Sequence, residues 1–403
     1  MLKVYNTFNT TQLILKPWEV NWYELRDYEL LKLEGNLLKE LIVSATHKAG
    51  NLNKLSQAIN MCYVDFWYVL KDRAKLVSVK KLKRLADYSN IDYNYFNDKI
   101  SEIRKGSIPS IKNPKLPFNL SSKEAATILG NIVSDGCIYI DRKARGVKRT
   151  KYSAATKEEL EKFVSNINKI FGQVYFQKEK TRGSIYLKIG SSIIAESLCR
   201  VGAPTGNKAI INAGLPWLIK TGPEELKIAY LKAVFDDEGS LGGHKNQIYG
   251  GKIRRDCFIT LSRSIHINNL LNQSQKKSIQ KLIPYMKKRF FPTGHKTQSI
   301  SIPQANKKLQ ELEGKKSLAL SDLLKNTMPK LLSEEMELLD SLGIQSRLRN
   351  SGLSITNNGN YSISSELRII KKRDVLNFYE KINFGLPHKK NKLTQFLTNI
   401  NWA

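Results

Sequence analysis

Two stretches that echo one another, Ile128-Leu-Gly-Asn-Ile-Val-Ser-Asp-Gly136 and Leu231-Lys-Ala-Val-Phe-Asp-Asp-Glu-Gly239, limit what this chain can fold into more than any other feature. Each reads as a helix that ends in an acid. Ser121-x-x-Glu124 and Thr221-x-x-Glu224 have the spacing of capping boxes that would start the helices, and Gly136 and Gly239 would stop them. Gly130 and Ala233 sit at the same offset from those stops, so two helices can pack backbone to backbone, with Ile128, Ile132, Leu231, Val234 and Phe235 sealing the flanks. Asp135 and Glu238 then lie side by side at the negative ends of two helix dipoles, which calls for a cation between them. A divalent metal with oxygen ligands suits that place.

The elements downstream repeat as well. After the first acid, 137–142 reads as a strand, 141–150 as a basic hairpin carrying Arg142, Lys143, Arg145, Lys148 and Arg149, and 151–155 as its return. Thr156-x-x-Glu159 caps a helix whose inner face is Leu160, Phe163, Val164, Ile167 and Ile170, ended by Gly172. One strand sets Gln173, Tyr175 and Gln177 opposite Val174 and Phe176. The next sets Ser184, Tyr186 and Lys188 opposite Ile185, Leu187 and Ile189. A helix at 193–200 and a loop at 204–208 close the first copy. The second copy keeps the order: a strand at 257–262, a helix bearing Met336, Leu339 and Leu342 and ended by Gly343, two alternating runs holding Arg347, Arg349 and Arg368, and a closing helix with Val375, Phe378 and Ile382. This is an internal duplication, interrupted in the second copy by a basic insertion at about 265–330.

Paired acid-ended helices with matching downstream elements resemble the LAGLIDADG homing endonuclease family in its single-chain, two-motif form. The first copy keeps Gly130 and Asp135-Gly136 but has Val133 where the signature has an acid; the second keeps Asp236, Glu238 and Gly239, with Ala233 for the glycine. The resemblance implies an α+β fold of two pseudo-symmetric αββαββα repeats, 119–222 and 223–403, in a monomer with internal pseudo-two-fold symmetry. It implies a site-specific, metal-dependent endonuclease that hydrolyses both strands of a long double-stranded DNA site, with Asp135 and Glu238 binding Mg2+. A lysine in each repeat commonly assists in this family. By position after the closing helix, Lys208 and Lys389 fit that role, with Lys390 and Lys392 as competitors. Asp236 and Asp237 suit helix-terminal positions better than ligation.

Charge agrees with such a partner. Lys and Arg number 66 against 36 Asp and Glu, a formal +30 spread along the whole chain, so a polyanion is expected. Gln173, Tyr175, Gln177, Tyr186, Lys188, Arg347, Arg349 and Arg368 would line the polar sheet faces, where Gln suits adenine and Arg suits guanine. Host intron RNA fits the same charge, which keeps an RNA maturase as an alternative. A transcription regulator on an inactive scaffold is a third, opposed by the retention of both acids. The four cysteines show no C-x-x-C spacing, which argues against a zinc site or a disulfide framework and for a reducing interior. Apolar runs are broken by Lys, Asp or Arg, so no membrane span is expected. The chain starts at Met1 and ends Asn401-Trp-Ala403, without the end residues of an intein.

Residues 1–35 read as an N-terminal extension holding Trp18, Trp22 and Tyr23. Across 36–100, Leu52, Leu55 and Ile59, then a turn at Asn60-Met-Cys, then Val64, Trp67 and Leu70, then Leu82, Leu85 and Tyr88 recur at helical spacing. This resembles a small all-α helix-turn-helix domain of the phage-repressor type. Tyr63, Asp65 and Tyr68 would face outward, with Lys71 and Arg73 near phosphates; an ordinary helical bundle gives the same spacing. Pro109, Pro114 and Pro117 mark 101–118 as a linker.

Overall fold

The computed structural model describes residues 16–105, 108–142, 146–181, 184–249, 252–290, 296–356, 359–400 and 402. Strand alternation governs the N-terminal part more than the sequence suggests. β1 (Leu30–Leu33) buries Leu31 and Leu33. It is followed by α1 (Leu37–Ala49), α2 (Leu52–Ala58), α3 (Tyr63–Leu70), α4 (Val79–Ser89), β2 (Ile100–Lys105) and β3 (Ile108–Lys112). The strands form an antiparallel sheet, flanked on one side by Val77–Ser78. The region 36–100 is therefore not all-α. The turn between α2 and α3 is present, with Asn60 in the left-handed region at φ 49°.

Nor is 101–118 a linker. Ile103 and Ile111 are fully buried and pair across β2 and β3, and Pro109 is tolerated because it lies where that register shifts. Trp22 is also fully buried, its indole N–H donating to the Tyr93 carbonyl, so 16–35, the described part of the N-terminal extension, belongs to the core.

The first repeat runs α5 (Lys123–Val133), β4 (Gly136–Asp141), β5 (Val147–Ala154), α6 (Lys157–Phe171), β6 (Gln173–Val174), β7 (Phe176–Thr181), β8 (Ser184–Ile189), α7 (Ser192–Arg200) and α8 (Lys208–Ile211). Its antiparallel sheet has the order β7-β8-β5-β4. β6 leaves that sheet and pairs with β3, joining the N-terminal sheet to this repeat.

The second repeat runs α9 (Glu224–Glu238), β9 (Ser240–Tyr249), β10 (Lys252–His266), α10 (Gln273–Gln280), β11 (Lys287–Phe290), β12 (Lys296–Ser301), α11 (Ile302–Glu313), α12 (Leu318–Asn326), α13 (Lys330–Ser341), β13 (Arg347–Thr356), β14 (Tyr361–Ile369), α14 (Lys372–Lys381) and α15 (Pro387–Asn399). Its sheet order is β9-β10-β14-β13-β12-β11. The halves share a register: Tyr152 pairs with Leu187 in the first as Leu261 pairs with Leu367 in the second. Among the described residues no helix is long and apolar enough to cross a membrane.

The two halves meet along α5 and α9. A Cβ added to Gly130 would stand 2.7 Å from the Tyr230 carbonyl oxygen and 2.8 Å from the Ala233 Cβ, so glycine is what lets the helices touch. Ile128, Ile132, Leu231, Val234 and Phe235 are all fully buried around that contact. The helix starts differ from the expected boxes. Ser122, not Ser121, caps α5, and Pro223 precedes α9 while Thr221 bonds back to the Trp217 carbonyl. The Thr156–Glu159 box does form. α5 ends at Val133 with Ser134 as its C-cap rather than at Gly136, which opens β4 where a Cβ would sit 2.8 Å from the Asn131 carbonyl oxygen.

Candidate active site

The close seam brings the ends of α5 and α9 together, and with them Asp135 and Glu238. Burial is the largest cause raising the pKa of Glu238, and Asp135 is among the charges that add to the rise; for Asp135, which sits in a crowded site though part of its surface stays open, desolvation is the largest cause and Glu159 adds to it. Asp135 is exposed, and its carboxylate makes no hydrogen bond or ion pair with a described residue. Asp237 lies beside them, held by the Asn131 amide at 3.0 Å and the Tyr152 hydroxyl at 3.0 Å. Burial raises its pKa to about 8, against the pull of the Asn131 hydrogen bond, and Asp135 adds to the rise.

Two lysines clasp the helix ends in parallel fashion. Lys208, which opens α8, donates from Nζ to the carbonyls of Ile132 (3.2 Å), Ser134 and Gly136 (3.0 Å). Lys389, on α15, donates to those of Phe235 (3.2 Å), Asp236 and Gly239 (2.8 Å). Each satisfies carbonyls a helix C-terminus leaves orphaned and offsets the negative dipole end. Burial lowers both ammonium pKa values, that of Lys208 to about 8. With Nζ committed to three carbonyls, each lysine acts as a positioning residue beside the acids. Asp236 works on the same assembly: its Oδ1 accepts the N–H groups of Gly385 (2.7 Å) and Leu386 (3.1 Å), anchoring the start of α15.

The second half carries a feature with no counterpart in the first. Arg263, in the core-facing register of β10 and almost fully buried, bridges Glu238 at 2.5 Å and Glu335 of α13 at 2.7 Å. It also donates to the Val133 carbonyl of α5 at 3.2 Å, and Glu335 accepts the Tyr230 hydroxyl at 3.1 Å. Burial works against the guanidinium charge, but Glu335 and Glu238 outweigh it and raise its pKa. The same register position in the first half is Ala154, next to the Tyr152–Phe163 stack. Sequence reading missed Arg263, Glu335, Asn131 and Tyr152. For the first two a signal existed, a charge on an otherwise apolar strand or helix face.

The donor set bears on metal binding. Asp135 offers unpaired, hard carboxylate oxygens at a point where like charges crowd, and this suits a divalent cation. Glu238 can join it only by sharing its charge with Arg263. Among the described residues no three His, Cys, Asp or Glu side chains form a ready cage.

The polar sheet faces carry most, but not all, of the residues expected there. In the first sheet Arg149, Lys151, Tyr186, Lys188 and Gln177 share a face by register, with the Lys151 ammonium over the Tyr186 ring at 3.8 Å. In the second, Arg347 and Arg368 pair across β13 and β14, while Arg349 and Arg368 both reach Glu366. Three expected residues fall elsewhere. Gln173 belongs to β6 and the N-terminal sheet, Tyr175 lies 65% exposed in a groove beside α6, and Lys148 pairs with Ile140 on the opposite face from Arg149. Arg142 is exposed at the hairpin; Lys143 and Arg145 lie outside the described residues. On α3, Tyr63 and Tyr68 are exposed, Asp65 pairs with Lys81 at 2.6 Å, and Arg73 sits over the Trp67 ring.

Comparison with known proteins bears on the sheet of the second repeat. Residues 317–383 match the LAGLIDADG-like domain. The LAGLIDADG-like match spans α12, α13, β13, β14 and α14, and so includes Glu335, Arg347, Arg349 and Arg368. No curated protein matches the chain. Solved structures that resemble it include I-DmoI in complex with DNA and Mn (14% identity, 66% of this chain and 97% of that chain, TM-score 0.32). I-WcaI bound to its DNA recognition sequence resembles it at 14% identity over 68% of this chain and 87% of that one, TM-score 0.30. Full-length DUF199/WhiA from Thermatoga maritima does so at 14% identity over 69% and 61%, TM-score 0.28.

Proposed function

We propose that this chain is a site-specific, divalent-metal-dependent DNA endonuclease. The observation that carries the reading is the paired helix ends, each presenting an acid and each clasped by a lysine, in a basic protein with polar sheet faces on both sides. Asp135 and Glu238 would hold the cation, which would neutralise phosphate charge and ready a water for attack. Lys208, Lys389 and Asp236 keep the helix ends in place. Gln177, Tyr186, Lys188, Arg347, Arg349 and Arg368 would hold and read the duplex.

The test is a supercoiled plasmid carrying the two DNA segments that flank the coding sequence, joined directly. The wild-type chain should linearise it with Mg2+ and leave it intact in EDTA. Asp135→Asn should remove cleavage while DNA binding survives or tightens, since a charge that repels phosphate is gone. Undiminished cleavage by Asp135→Asn and by Glu238→Gln would rule out the assignment. A second reading, DNA binding without cleavage, is favoured by one observation: Arg263 already serves as the cation for Glu238. Retained binding with no cleavage in any divalent metal would support that reading instead.

A further inference from the structure

We infer that the insertion in the second repeat is a DNA-binding extension of that repeat's sheet, so that the protein contacts a longer stretch of duplex on one side of the cut than on the other. The inference rests on the endonuclease reading for its partner and on the sheet itself for its geometry.

The added strands β12 and β11 continue the sheet beyond β13 in register: Ile300 pairs with Leu353, Ser299 with Ser354, and Lys287 with Ser299. One face of this extension is sealed. Ile300, Leu353, Ile363 and Ile265 join Leu309 and Leu324 of α11 and α12 in a second hydrophobic core, separate from the main one. Alternation leaves Ser299, Ser354, Ser364 and Lys287 on the opposite face, the one that carries Arg347, Arg349 and Arg368 nearer the centre. A groove runs along it. Ser351 and Ser364 line both the central cleft that contains Glu238 and Lys208 and an outer groove lined by Tyr285, Lys287 and Lys307. The two hollows adjoin at those serines.

Small hydroxyl side chains in the floor let a phosphate backbone come close, and the lysines stand at the far end. Neither Lys287 nor Lys307 makes an ion pair with a described residue. Across 265–330 there are 13 Lys and Arg against 3 Asp and Glu. Two strands at about 4.8 Å widen the face by about 10 Å, the rise of about three base pairs.

The experiment is hydroxyl-radical footprinting in EDTA on the joined flanking DNA, with the full chain and with Lys287→Ala/Lys307→Ala, both checked by thermal melting. The wild type should protect about three more base pairs on one side of the cut. The variant should lose protection there alone, and its log affinity against log salt should flatten by about two. A wild-type footprint of equal reach on both sides, left unchanged by the variant, would overturn the extension while leaving the endonuclease reading intact. No footprint on DNA, or protection of intron RNA in its place, would overturn both.

Discussion

At the scale of single residues, the centre of the molecule is decided by charges placed where apolar side chains are the rule. Arg263 interrupts the buried run Ile259, Leu261, Ile265, and Glu335 interrupts Leu331, Leu332, Leu338, Leu339. A buried ion pair gains little over apolar packing, yet removing one partner strands the other, at about 3–5 kcal/mol. Glu335→Gln should therefore lower the unfolding free energy by roughly that amount in urea titration; a loss within error would mean Glu238 alone suffices to hold Arg263. Asp237 sets a pH dependence. Its folded pKa, about 8, lies above the usual carboxylate value, so the stability it contributes is complete in acid and is lost as pH rises towards 8. In EDTA, Asp237→Asn should flatten the fall in urea midpoint between pH 5 and 8, and an unchanged slope would refute the assignment. Asp135 and Glu238 stand out in the sequence because each closes a motif before a glycine. Arg263 was legible only in principle, since strand alternation shows that a residue points inward but not what it meets.

At the scale of elements, the α5–α9 seam turns on one position. In an exposed helix, replacing glycine with alanine gains about 1 kcal/mol from propensity. At Gly130 the new methyl would meet a carbonyl oxygen and another Cβ at under 3 Å, neither of which can swing away. Overpacking costs of about 1–3 kcal/mol then outweigh the gain, so Gly130→Ala should lower the melting temperature and weaken cleavage; a more stable variant would mean the helices part freely. The seam and the repeat order could be read from sequence because hydrophobic periodicity and small residues report on them directly. The start of α6 could be read as well, from its Thr156–Glu159 box, but that of α5 could not, since Ser121 and Ser122 are equally able caps and tertiary packing selects between them. The break between β6 and β7 was hidden for a related reason: the alternation from Gln173 to Gln177 is unbroken, but Gln173 and Val174 find their partner in β3.

At the scale of the whole molecule, the N-terminal part is joined to the first repeat rather than appended to it. Arg26 pairs with Glu196, Glu24 with Arg200, and Phe118 packs on Phe171 at 4.9 Å. Helical spacing marked α2, α3 and α4, whereas the sheet beside them is built from segments distant in sequence, and nothing local announces such pairing. Truncation before residue 101 removes β1 and α1 to α4 and takes from Ile103 its partner Leu31, so the remaining chain should melt at lower temperature and aggregate in size-exclusion chromatography. A monomer of unchanged melting temperature would show the repeats to be self-sufficient.

The glycine on one helix and the alanine facing it on the other have a consequence for descent. Two copies of the second half could not close on each other as the halves do now, because alanine would stand where only hydrogen fits. The second half is thus a mate for the first and not for its own copy, so a pair of identical second halves is not open to this sequence.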